Sequence, residues 1–156
     1  MSYARCVVTF ELQWNDSPES SEHPGFRSLS NRGWWRILSE LEAQGVGDLT
    51  EPPTPPRSPL VERLFTRRQR IPFPLDLNVE NLTRLDVDPA TCAYPIGLFD
   101  LSYHGTVVVT ERACQAILER LTREPTLEYD EWWPKLWRWF YDYLAAAGEH
   151  GGFEVG

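Results

Sequence analysis

Between Cys6 and Trp14 apolar and polar residues alternate. Cys6, Val8, Phe10, Leu12 and Trp14 fall on one side and Val7, Thr9, Glu11 and Gln13 on the other, the period-two signature of a strand with one buried face. After Ser30 the period changes. Trp34, Ile37, Leu38 and Leu41 recur at helical spacing, with Ser30 or Asn31 placed to cap the start and Gly45 to end it, which predicts a helix over 33–44. Cys114, Ile117, Leu118 and Leu121 repeat the same spacing after Thr110, a capping residue, and Pro125 stops the pattern. This predicts a helix over 110–123.

The strongest stripe lies at 130–147. With Phe140 as reference and about 100° per residue, Trp133, Leu136, Trp137, Tyr143, Leu144 and Ala147 share one helical face, and Lys135, Arg138 and Asp142 point away. Trp132, Trp139 and Tyr141 fall on the flanks, where burial ends. A hairpin is read at 97–110. Phe99, Leu101 and Tyr103 alternate, His104-Gly105 supplies a two-residue turn, and Val107 and Val109 return. Leu75, Leu77 and Val79 alternate behind Pro72 and Pro74, which places them at a sheet edge, and 82–87 offers a weaker alternation.

Between these elements the chain is polar or proline-rich. Residues 15–24 lack apolar side chains and are expected to form an exposed loop whose Asp16, Glu19 and Glu22 suit a basic partner. Five prolines make 50–59 a stiff connector. Ser58-Pro59 then opens a short helix with Leu60, Val61, Leu64 and Phe65 on its apolar side. Arg67, Arg68 and Arg70 crowd its end, where they cap the helix or meet an anion or acidic partner. The tail, 148–156, is read as loose.

These elements imply a single α+β domain. An antiparallel sheet including 6–14 and 97–110 is covered by three to four helices.

Charge narrows the function. The net charge is −8, and residues 57–70 hold five arginines against Glu62, so the remaining surface is more acidic still. Such a surface repels a phosphate backbone, which excludes nucleic acid as a general ligand. No apolar run spans a membrane and the N-terminus lacks a signal-peptide core, so a cytoplasmic protein is expected. Cys6, Cys92 and Cys114 are far apart and fit reduced thiols. No metal-ligand spacing, phosphate-binding glycine loop or nucleophile elbow occurs, and no cofactor is implied. His23 and His150 fall in polar segments. His104 is explained by turn geometry, so no catalytic residue is assigned.

In general character, small, acidic, tryptophan-rich and without a catalytic motif, the chain resembles bacterial immunity proteins that neutralise toxins. The resemblance is one of type and rests on no particular residue. It implies a protein-binding role; Trp35, Trp139 and Tyr141, placed by helical angle on the flanks of their helices, are the candidate aromatic anchors against a basic protein. The competing expectation is a small enzyme or ligand-binding domain with a pocket between the sheet and the aromatic C-terminal helix.

Overall fold

The structure, a computed structural model, describes residues 9–16, 24–52, 83–103 and 105–156. Strand β1 (Thr9–Trp14) follows the alternation, with Phe10 and Leu12 wholly buried and Thr9 and Glu11 exposed. It pairs antiparallel with β2 (Phe26–Ser30) on one side and with β7 (Phe153–Val155) on the other. Strand β7 in turn pairs antiparallel with β6 (Val107–Val109), which runs parallel to β4 (Thr83–Leu85). The five-stranded order is β2-β1-β7-β6-β4, so the sheet is mixed rather than wholly antiparallel. The short strands β3 (Gly47–Asp48) and β5 (Ile96–Gly97) form a separate parallel pair.

Register explains which face is buried. Leu12, Val155 and Val107 lie opposite one another across three strands, and Trp14, Phe153, Val109 and Leu85 do so across four. Opposed residues project to the same side, so these rows make one apolar face.

Helices α1 (Asn31–Ala43) and α3 (Trp133–Ala147) lie on that face. Trp34 of α1 meets Phe10 at 5.9 Å and Phe140 of α3 at 6.0 Å between ring centres, and Tyr143 meets Phe153 at 5.7 Å. The caps of α1 are those the sequence offers. Ser30 Oγ accepts from Gly33 N at 3.0 Å, and Gly45 takes φ 76° just past the end. Helix α2 (Glu111–Glu119) is capped by Thr110, whose hydroxyl accepts from Ala113 N at 3.3 Å. It ends at Glu119, short of the expected 123, and Thr122 beyond it donates its N–H to Gln44 Oε1 at 2.9 Å instead of continuing the helix. Among the described residues no helix is long and apolar enough to cross a membrane.

Two expectations are corrected. The hairpin at 97–110 does not form. Phe99–Ser102 is a 3₁₀ turn closed by Leu101 N donating to Leu98 O at 3.0 Å, and Ile96–Gly97 pairs with β3. The alternation there misleads because it spans too few residues to separate a strand from a tight helical turn. Leu101 is buried and its carbonyl accepts from the Trp34 indole at 2.8 Å, whereas Tyr103 is exposed. Gly105 lacks the positive φ of a two-residue hairpin turn, and His104 lies outside the described residues.

The tail is not loose either. Phe153 and Val155 are buried, and β7 occupies the middle of the sheet. Gly151 and Gly152, at φ 75° and 87°, turn the chain from α3 into β7, and a side chain on Gly152 would overlap the Val109 carbonyl. Three residues of alternation after a polar, glycine-rich stretch carry too little pattern to reveal a strand. The readings for 6–8, 53–59, the arginine-ended helix through 70 and the alternation at 75–79 lie outside the described residues.

Two outcomes are expected. Phe153→Ala should cost about 3–5 kcal/mol in chemical denaturation, a core penalty that a loose tail would not show. Burial pushes the Cys114 thiol up to about 12, so it should resist alkylation near neutral pH in the folded protein and react once the protein is unfolded in denaturant.

Candidate interaction surface

Thr122 to Trp132 forms no helix or strand, yet three buried side chains pin it from below. Glu40, on α1, has no accessible surface. Its Oε1 accepts from Thr126 N and from Leu127 N at 2.9 Å, and its Oε2 accepts from the Thr126 hydroxyl at 2.6 Å and Gln44 Nε2 at 3.4 Å. The indole of Trp137 donates to Thr122 O at 3.0 Å, and that of Trp133 donates to Leu127 O at 3.0 Å. Core rings thus turn their polar ends outward to hold the segment's carbonyls, while Glu40 holds its amides.

Ion pairs secure the flanks. Arg36 Nη1 meets Asp130 Oδ2 at 2.9 Å, Arg138 meets Glu124 at 2.9 Å and Arg123 meets Asp142 at 3.0 Å. Asp130 also accepts from Trp132 N at 3.2 Å and Trp133 N at 3.0 Å, so it fixes the backbone that leads into α3. The hydrogen bond from Arg36, aided by these amides, holds the Asp130 carboxyl below the usual carboxylate value.

The outer side of this segment is aromatic and acidic. Trp132 is 66% exposed and Tyr129 46%. Tyr129 is nevertheless fixed, with its ring edge-on to Trp133 at 5.2 Å and the Arg36 guanidinium 4.6 Å from its centre. Glu128 and Glu131 are exposed and form no ion pair within the described residues. Open clefts flank the ridge, one of about 440 Å³ between β2, α1 and α3, the other about 310 Å³ beside Glu124 and Tyr129.

Of the sequence-predicted anchors, Trp35 is 41% exposed on α1. Trp139 and Tyr141 are half-buried against the core, and the Arg27 guanidinium covers one face of Trp139 at 4.1 Å. Asp16 is exposed and meets His150 Nδ1 at 3.1 Å, and the His150 ring stacks on Trp14 at 4.1 Å. Glu19, Glu22, Arg67, Arg68 and Arg70 lie outside the described residues. Among the described residues no cluster of potential metal ligands forms.

Sequence reasoning missed Tyr129 and Glu40, and left Trp132 as a flanking residue. Trp132 precedes the first turn of α3, so its helical angle does not describe where its ring goes. Glu40 carries no signal at all, since nothing in its neighbourhood distinguishes it from Glu42, which is exposed.

Glu40→Ala would strand the Thr126 and Leu127 amides, and should cost about 2–4 kcal/mol in urea denaturation. Glu40→Gln should cost about 1–3 kcal/mol, because an NH₂ must then face one pair of donors. Amide exchange at Thr126 and Leu127 should accelerate in both variants. Comparison of the chain with protein families, with curated proteins and with solved structures finds no match.

Proposed function

We propose that this protein is a binding module for another protein, one with a basic contact surface, and that it grips through the ridge at 124–132. The observation that carries this reading is the exposure of Trp132 and Tyr129 on an irregular segment held by Glu40, Trp133 and Trp137. An exposed ring on a mobile loop loses freedom on binding, whereas a ring on a pinned segment has already lost most of it. Tryptophan and tyrosine are the residues that dominate contact energies between proteins. Glu128 and Glu131 beside them, on a chain of net charge −8, speed encounter with a basic partner.

Inhibition of a basic toxin is the specific form of this reading. The clefts are open at the surface, and the large core rings are packed against one another rather than around an enclosed space. That arrangement favours a surface contact over catalysis in a buried pocket.

The test is capture from the source cell with immobilised wild-type protein, Trp132→Ala, Tyr129→Ala and Trp35→Ala. A basic protein should be retained by the wild type and Trp35→Ala, and lost or weakened with the two ridge variants. Titration of that protein should then show a loss of about 2 kcal/mol for each ridge ring, with melting temperatures nearly unchanged. Capture that is indifferent to Trp132 and Tyr129, or a partner that is acidic, would overturn the reading.

A further inference from the structure

The larger cleft carries a feature that the ridge does not use. In a protein of net charge −8 its walls hold Arg27 from β2, Arg36 from α1 and Lys135 from α3. Arg36 is paired with Asp130. Among the described residues neither Arg27 nor Lys135 has a carboxylate within ion-pair distance. The Arg27 guanidinium lies 4.1 Å over the Trp139 ring, which shields one face and leaves the N–H edge. Burial lowers its pKa below the ordinary arginine value, as happens when a cation loses water without gaining a counter-ion. Lys135 Nζ lies 5.4 Å from the centre of the Trp132 ring, so a cation and a largely exposed aromatic face stand together at the rim. Gly33 also lines the cleft and adds no side chain to fill it.

We propose that this cleft binds a small organic anion bearing a planar ring, with the ring on Trp132 and a carboxylate or phosphate group held by Arg27 and Lys135. The cleft's volume of about 440 Å³ falls within the range of small-molecule sites. A guanidinium edge matches the paired oxygens of either acid group, and an ammonium adds a point charge beside it. The aromatic face supplies apolar contact that an inorganic ion cannot exploit. This site goes beyond the protein-partner reading and does not rest on it.

The experiment is calorimetric titration of the full chain at low salt with 2-naphthoate, AMP, inorganic phosphate, and the uncharged 2-naphthylmethanol and adenosine. At least one ring-bearing anion should saturate with a Kd at or below about 1 mM, and should bind at least tenfold more tightly than phosphate or its uncharged counterpart. Titration with 2-naphthyl phosphate, which carries the ring of naphthoate and the acid group of AMP, then identifies the preferred acid group. Arg27→Gln with Lys135→Gln should weaken that binding at least tenfold. Should Arg27→Gln unfold the protein, Lys135→Gln alone, at an exposed position, should still weaken it several-fold. Absence of saturation by both ring anions, equal binding of a neutral counterpart, or unchanged binding in a folded Lys135→Gln variant would overturn the proposal. Trp132 is shared by the two contacts, so the separation rests on the cations: Arg27→Gln and Lys135→Gln, which keep Tyr129 and Trp132, should weaken the ring-bearing anion and leave partner capture through the ridge in place.

Discussion

The carboxylate of Glu40 is the constraint on which the presented surface depends. It is fully buried, and among the described residues no cation pairs with it, so its desolvation is offset by hydrogen-bond donors alone. A carboxylate in that position is stable only while those donors stay in place, and two of them are backbone amides of the segment leading to α3. The dependence runs both ways. The segment acquires its shape from Glu40, and Glu40 tolerates its burial because of the segment. An apolar side chain could fill the same volume but would leave the backbone amides without acceptors.

Around that point the aromatic residues divide into two kinds of work. Trp34, Trp133 and Trp137 are buried in their rings and satisfied at their nitrogens, Trp34 donating to a carbonyl of the 3₁₀ turn and the other two to carbonyls of the irregular segment before α3. They fill the core and also determine the path of the backbone above it. Trp132 and Tyr129 lie outward of that layer, where their rings meet water. One aromatic-rich stretch thus builds both the support and the surface that it supports.

The helices were legible because their apolar residues recur at a spacing that no other structure satisfies. Trp34, Ile37, Leu38 and Leu41 are all buried, as are Trp133, Trp137, Phe140, Tyr143 and Leu144. Strand β1 was legible for the same reason, since its alternation is long enough to exclude a helical turn. The stretch at 99–103 was not, because three alternating apolar residues fit a 3₁₀ turn equally well, and Trp34 rather than a neighbouring strand took the Leu101 carbonyl. Strand β7 was missed because a central strand of three residues has little room for a pattern; its place is decided by partners far away in the chain. The ridge was half-legible. Acidic residues and a tryptophan before α3 could be seen, but the Glu40 carboxylate that holds the segment's amides comes from more than eighty positions earlier in the chain.

The position of β7 has a consequence for how the chain reaches this state. Strands β1 and β6 are not paired with each other; β7, which follows both in the chain, lies between them in the sheet. During synthesis N-terminal segments emerge first, so neither β1 nor β6 can gain its β7 partner until residues 153–155 have been made. Completion of the sheet therefore depends on pairings distant in sequence, whose loop-closure entropy must be met before they contribute. Until β7 is in place, the edges of β1 and β6 that it covers are open to pairing with other strands.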